Sequence, residues 1–124
     1  MNIVLWIVAG VLAAAFLAAG LMKLTQPKAK LAESGMGWTD DFGDGAVKAI
    51  GALEVLGALG LILPAVFDVA TILVPLAATG LALLMLGAAV THARRKETPM
   101  IVTNLVLFAL AVFVAWGRFG PYAF

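Results

Sequence analysis

The sequence contains no cysteine and a single histidine, His92. Without cysteine the chain cannot form a disulfide, a thiolate metal site or a cysteine-ligated iron–sulfur cluster, and it has no cysteine nucleophile. One histidine also excludes bis-histidine haem within one protomer. Gly43 and Gly45 do not follow a strand, so they form no dinucleotide-binding fingerprint. The residues therefore predict no metal site and no cofactor bound by the chain's own ligand set, which argues against an enzyme that acts alone.

Charged residues are scarce, at 12% of 124, while 64% of the residues are hydrophobic. In soluble domains about a quarter of the residues are charged and about half are apolar. This chain therefore has too few polar residues to form a water-exposed surface around its apolar ones. The apolar residues form four blocks, at about 3–22, 46–67, 69–91 and 100–117. Each is close to the ~20 residues that cross a bilayer as a helix. The sequence predicts one all-α domain over 1–124, an integral membrane four-helix bundle with antiparallel up-down topology.

The lysines and arginines are unevenly distributed among the connecting segments. The segments 24–45 and 92–99, with their flanking residues, carry most of them, whereas the opposite side has only Arg118, at the end of the fourth block. The positive-inside rule places both basic segments inside and both termini outside. Trp6 and Trp116 then lie near the outer ends, as in an aromatic belt. Because topology explains the basic residues, the sequence gives no reason to expect a nucleic-acid partner.

The polar loop at about 24–45 is the longest segment between the apolar blocks. Its composition predicts a short helix over about 28–34, followed by a glycine-rich turn over about 35–45. Asp40, Asp41 and Asp44 precede the second span, where acids favour a helix N-terminus. Their spacing does not match a calcium-binding loop, so we interpret them as capping residues.

Rare polar residues gather in the inner half of the predicted bundle. Glu54 lies eight residues into the second span, about 12 Å along the helix, and Asn104 about 6 Å into the fourth. Lys23 closes the first span and His92 ends the third. An ionisable residue at membrane depth is costly unless it is paired or neutralised, so Glu54 is a candidate functional residue with Lys23 or His92 as its expected partner.

Helical spacing also predicts which faces meet. Gly51, Glu54, Gly57 and Ala58 share one stripe of the second span, where small residues allow a close approach between helices. We expect the small residues of the first span to provide the matching face, and these are Gly10, Ala14, Ala18 and the nearby Gly20. Pro64 is expected to end the second span, and Pro75 to kink the third.

Each candidate residue also has a purely structural interpretation, and these alternatives stay open. Glu54 could be a carboxyl that only fixes helix packing. Lys23 could extend its amine to the interface from a span end, and His92 could be an interfacial cap. Asn104 could form an interhelical hydrogen bond.

Three segments, in this order, resemble the DoxX-like family. They are Ala19-Gly20-Leu21-Met22-Lys23-Leu24 at the end of the first span, Gly51 to Pro64 with its Glu-x-x-Gly run in the second, and Ala88-Ala89-Val90-Thr91-His92 at the end of the third. The resemblance implies a four-helix protein of the bacterial inner (plasma) membrane. It also implies association with membrane redox complexes, the family being named after a thiosulfate:quinone oxidoreductase. Lys23, Glu54 and His92 carry the family's polar positions.

Three functional hypotheses follow. The first is a non-catalytic accessory or assembly subunit of a membrane complex, in which a quinone-linked redox complex is the partner that the resemblance suggests. The second is a bundle that binds a quinone or a lipid at a site containing Glu54 and His92. The third is a small proton-coupled transporter. The glycine and alanine faces are compatible with either a monomer or a homo-oligomer.

Overall fold

The computed structural model describes residues 1–26 and 44–124, and this part of the chain folds as four long α-helices. They are α1 (Asn2–Thr25), α2 (Asp44–Phe67), α3 (Leu73–Arg94) and α4 (Thr98–Phe119). All four are long and apolar enough to cross a membrane. The predicted all-α, four-span architecture is therefore confirmed. The predictions for the loop helix at 28–34 and for the acids at 40 and 41 lie outside the described residues.

The helices form an antiparallel ring in which each packs on its neighbours in the chain, and α4 closes back on α1. The ring therefore has two distinct ends. At the basic end, α1 and α3 finish while α2 and α4 begin. At the termini end, α1 begins and α4 finishes, and the short connection between α2 and α3 lies there too. The most extensive packing is within the pairs α1–α2 and α3–α4.

The bundle has a small apolar core and a large apolar exterior. Leu5, Leu12 and Phe16 of α1 are almost fully buried and pack with residues of the other helices. On the outside, Ile3 is 73% exposed and Leu56 65% exposed. A soluble protein would not expose such a continuous apolar surface, whereas hydrocarbon solvates it. The fold belongs to a multi-pass membrane protein in contact with the lipid bilayer.

The third span begins at Leu73, four residues later than the predicted start at 69. Asp68 and Ala70 have positive φ angles, of 52° and 48°, so the chain turns there rather than entering the helix. As a result Pro75 lies in the first turn of α3. Backbone N–H groups in the first turn have no intrahelical acceptor, so a proline there breaks no helix hydrogen bond. The predicted kink at Pro75 is therefore wrong. Pro64 does not end α2 either, because the helix continues to Phe67.

The small residues of α1 form only part of the predicted face toward α2. Gly10, Ala14 and Ala18 are exposed on the outside of the bundle. The buried residues of α1 are Leu5, Ala9, Leu12, Phe16, Gly20 and Lys23. Of the predicted small face, Gly20 packs closely against α2, and Ala14 lines a shallow groove between α1 and α2. The difference arises because the apolar composition of α1 is nearly uniform around the helix, so its sequence does not distinguish the core face from the lipid face.

Candidate functional site

Two glycines set the distance between α1 and α2 at the basic end. A Cβ atom on Gly20 would lie 2.7 Å from the Gly51 carbonyl oxygen, and one on Gly51 would lie 2.8 Å from the Cβ of Lys23. No side chain fits at either position without displacing backbone. The close approach places the end of α1 directly beside the middle of α2, where Glu54 is one turn further along.

Lys23 and Glu54 form a buried ion pair between these two helices. The Lys23 Nζ atom donates to Glu54 Oε1 at 2.6 Å, and the two side chains are 8% and 4% exposed. Lys23 is one of the two partners that the sequence predicted for Glu54. An ion pair satisfies both charges where water is scarce, and removing one partner would leave the other charge buried alone.

Lys48 stabilises the end of α1 from the first turns of α2. Its Nζ atom donates to the backbone carbonyl oxygens of Lys23 and Leu24, at 3.0 Å each, and of Gln26 at 3.2 Å. These are carbonyl groups that the end of a helix leaves without intrahelical donors, and a cation there also complements the helix dipole. Lys48 therefore holds the backbone of Lys23 while the side chain of Lys23 binds Glu54.

A tight turn after α3 brings Glu97 back onto His92. The Glu97 N–H donates to the His92 carbonyl at 2.9 Å, the Lys96 N–H donates to the Ala93 carbonyl at 3.2 Å, and Lys96 has a φ of 58°. This is the Schellman pattern, with lysine in the position that glycine usually takes. The His92 Nδ1 atom then donates to Glu97 Oε1 at 2.8 Å, and Arg95 Nε donates to the same oxygen at 3.2 Å.

The hydrogen bond from His92 and the nearby charge of Arg95 hold the pKa of the Glu97 carboxyl below its usual range. His92 lies at a span end, as expected from the sequence, but its partner Glu97 was not predicted. The signal was present, because Glu97 follows His92 by five residues, the separation at which a Schellman turn folds the chain back.

Asn104 is buried in α4, with 6% of its surface exposed, and its Nδ2 atom has no hydrogen-bond partner among the described residues. A buried amide donor without an acceptor costs about 1–3 kcal/mol. The structural interpretation of Asn104 as an interhelical hydrogen bond is therefore not supported for this donor within the described residues.

All four candidate residues line one cavity of about 1220 Å³ that extends from the basic end between the helices. Lys23, Glu54, His92 and Asn104 contribute polar surface to it, together with Thr91, Arg94 and Thr103. The rest of the lining is mostly apolar, and much of it comes from α2 and α3. The structure thus brings together one candidate residue from each of the four helices. The two that are farthest apart in the chain, Lys23 and Asn104, are separated by 81 positions.

The termini end contains a buried cation that sequence analysis interpreted only as a span-end residue. Arg118 is 4% exposed, and its Nη1 atom donates to Asn2 Oδ1 at 2.7 Å and to the Tyr122 carbonyl at 2.9 Å. The guanidinium carbon lies 3.9 Å from the centroid of the Phe124 ring and 5.9 Å from that of Trp6. Neutral acceptors and aromatic faces, rather than a carboxylate, stabilise this charge. The sequence signal for it was the cluster of aromatic residues after Arg118.

Comparison with known proteins gives one informative result. A family model described as the DoxX-like family matches residues 7–114. The matched range includes the four candidate residues of the cavity and most of the four helices. No curated protein and no solved structure matches the chain.

Proposed function

The chain belongs to the DoxX-like family, and we propose that it is a membrane-embedded binding protein that holds one lipophilic small molecule, a quinone or a lipid, inside its bundle. The observation that carries this proposal is the cavity of about 1220 Å³, in which apolar walls surround a small group of buried polar side chains. Sites for small molecules commonly combine a mostly apolar lining with a few polar groups that orient the ligand.

The electrostatics of the cavity favour a ligand without a strong net charge. Lys23 and Glu54 neutralise each other at 2.6 Å, so neither presents an isolated charge to a ligand between the helices. Arg94, which also lines the cavity, is exposed at the basic end. His92 is oriented by Glu97 outside the helices, which fixes its ring against the cavity. This second hypothesis from the sequence therefore gains most from the geometry. A proton-coupled transporter would need Glu54 to release Lys23 in each cycle, and that hypothesis stays a prediction.

The accessory-subunit hypothesis, which came first in the sequence analysis, also stays a prediction and is compatible with a bound ligand. One observation favours it. Gly10, Ala14 and Ala18 form a small-residue stripe on the exterior of α1, and such stripes allow close contact with another membrane helix. The second helix could belong to a redox-complex subunit or to a second copy of this chain.

We further propose that the protein lies in the bacterial inner membrane with its termini outside and the segments 24–45 and 92–99 inside. The distribution of lysine and arginine supports this orientation. Labelling of a Glu33→Cys variant in intact cells tests it. Reaction only after the membrane is opened is expected, and reaction with an impermeant reagent from outside would reverse the orientation.

The binding proposal is tested by native mass spectrometry of protein extracted gently from its own membranes. We expect a protomer that carries one additional mass of quinone or lipid size. Gly87→Phe should remove that mass, because Gly87 lines the cavity and a Cβ atom there meets nothing within 4 Å, so a bulky ring can be added to the lining without displacing a helix.

Gly10→Phe is the matched control, since its Cβ position is equally open but lies on the exterior of α1. It should keep the small-molecule mass and lose any companion protein that binds the α1 stripe. A bare wild-type protomer, or an equal ligand load in wild type and Gly87→Phe, would refute the binding proposal. A companion protein that survives in Gly10→Phe would argue against the α1 stripe as its contact.

A further inference from the structure

The Nδ2 atom of Asn104 is the strongest indication of what the cavity binds. It is a hydrogen-bond donor with no acceptor among the described residues, on a side chain that is 6% exposed and lines the cavity. Buried donors in folded proteins are nearly always paired, so an unpaired one on a cavity-lining side chain calls for an acceptor that the described residues do not provide. In a membrane the incentive to pair it is greater still.

The other polar groups around the cavity narrow the chemistry of that acceptor. The carboxylate of Glu54 is engaged by Lys23 at 2.6 Å, and the hydroxyl of Thr103, beside Asn104, donates to the Pro99 carbonyl of its own helix at 3.1 Å. Asn104 thus supplies a neutral donor in the same cavity as a charge-balanced pair, and Arg94 of the lining is exposed at the basic end. A neutral carbonyl oxygen matches it, because it accepts a hydrogen bond without bringing a charge into the bilayer.

The cavity also has a path for a hydrocarbon chain. The contacts that bring α2 close to α3 are at Gly57 with Leu81 and at Gly60 with Ala77, which lie toward the termini end from Glu54. Nearer the basic end, Leu53 and Leu83 line the cavity while being 52% and 63% exposed on the outside of the bundle. The space between α2 and α3 therefore opens sideways onto the lipid-facing surface.

From these observations we infer that the cavity binds a neutral lipophile whose carbonyl oxygen accepts a hydrogen bond from Asn104 Nδ2, and whose hydrocarbon tail leaves between α2 and α3. This inference rests on the proposed binding function and specifies the ligand class. A quinone ring and a lipid ester both offer such a carbonyl, and the experiment distinguishes these two sources.

The experiment measures binding of three probes to the full-length protein in nanodiscs. Decylubiquinone offers quinone carbonyls, 1,2-dioctanoylglycerol offers ester carbonyls, and decylbenzene offers no acceptor. Asn104→Leu should weaken binding of whichever carbonyl probe the wild type binds by about fivefold to tenfold, the loss of one hydrogen bond. Binding of decylbenzene should not change. Thr79→Val is the matched control, because Thr79 does not line the cavity and its hydroxyl already donates to the Pro75 carbonyl of its own helix at 2.8 Å, and it should leave all three affinities unchanged.

A second measurement separates a ligand contact from a structural one. Without ligand, Asn104→Leu should unfold at a higher temperature than the wild type, because the substitution removes an unpaired buried donor. A structural hydrogen bond would give the opposite result, a lower unfolding temperature, and would overturn the inference. Equal binding of carbonyl probes by wild type and Asn104→Leu would also overturn it, while leaving the cavity as a binding site. Failure of the wild type to bind any of the three probes would instead refute the proposed function and the inference together.

Discussion

The two ends of the bundle each bury a cation, and they stabilise it in different ways. At the basic end, Lys23 binds the carboxylate of Glu54 at 2.6 Å, so the charge is balanced by an opposite charge. At the termini end, Arg118 binds a side-chain amide oxygen and a backbone carbonyl and lies against the ring of Phe124. There the cation is stabilised by dipoles and by an aromatic face. The comparison shows that a cation buried in this bundle does not need an ion pair to be stabilised.

The surroundings of the two cations differ as well. Lys23 lines the large cavity, whereas Arg118 does not. The aromatic side chains around Arg118 pack against one another, with Trp6 against Phe124 and Trp116 against Tyr122. The basic end thus combines a charge-balanced pair with space and an unpaired donor, which suits binding. The termini end is filled by its own side chains, which suits a structural role.

The largest expected effect comes from removing one member of the ion pair. Glu54→Leu should lower the free energy of unfolding by about 3–5 kcal/mol, because Lys23 would be left as an uncompensated buried charge. The double variant Lys23→Met/Glu54→Leu should recover most of that loss, since no charge remains. Unfolding curves in detergent for wild type, single and double variants test this. A double variant as unstable as Glu54→Leu would show that packing, not charge, dominates at the basic end.

A smaller effect is expected at the termini end, and it sharpens the contrast. Arg118→Met should cost about 2 kcal/mol, because the groups it leaves behind are neutral acceptors rather than an opposite charge. The same unfolding measurement applies. A loss as large as that of Glu54→Leu would remove the proposed difference between the two ends. Ligand binding in this variant should equal that of the wild type, as Arg118 is remote from the cavity.

Gly51→Ala tests how the basic end is positioned. An added methyl group would lie 2.8 Å from the Cβ of Lys23 and 2.9 Å from the Gly20 carbonyl oxygen, both of which are rigid. We expect a loss of about 1.5 kcal/mol from overpacking, measured by the same unfolding curves. Gly10→Ala is the control, because its Cβ position is open, and it should cause no loss. Equal stabilities of the two alanine variants would refute the close approach.

The smallest effect concerns Glu97 at the surface of the basic end. Because its pKa is lowered in the folded protein, its contribution to stability is complete above the ordinary carboxyl pKa of 4.5 and is lost as the pH falls through the lower folded value. Unfolding temperatures between about pH 6 and about pH 3 should therefore fall more steeply for wild type than for Glu97→Gln. Parallel curves for the two proteins would show that the contacts of Glu97 with His92 and Arg95 add nothing.

Much of this architecture could be predicted from the sequence, because membrane spans are set by length and hydropathy. The grouping of Lys23, Glu54, His92 and Asn104 could be predicted from the order of the spans alone. In an up-down bundle, the ends of α1 and α3 and the starts of α2 and α4 lie on the same side of the membrane. What could not be predicted was rotation about each helix axis. In α1 almost every residue is apolar or small, so the pattern did not show that Gly10 faces outward while Leu12 faces the core.

Local turn geometry was the other source of error. The positive φ angles of Asp68 and Ala70 delay the start of α3 to Leu73. Neither residue is a glycine, the residue that usually indicates such a conformation in a sequence. The role of Arg118 was missed for a different reason. Its acceptors come from Asn2 and from the backbone of Tyr122, and neither has a charge that would suggest pairing.

The position of the ion pair in the chain has a consequence for biogenesis. Lys23 and Glu54 are 31 residues apart, on the first two helices, and Gly20, Gly51 and Lys48 belong to the same hairpin. The ion pair, the two glycines and Lys48 therefore all belong to the part of the chain that is synthesised before α3. Arg118, by contrast, must wait for the last helix and then find Asn2, 116 residues earlier. The basic end can assemble during synthesis, and the termini end closes the bundle afterwards.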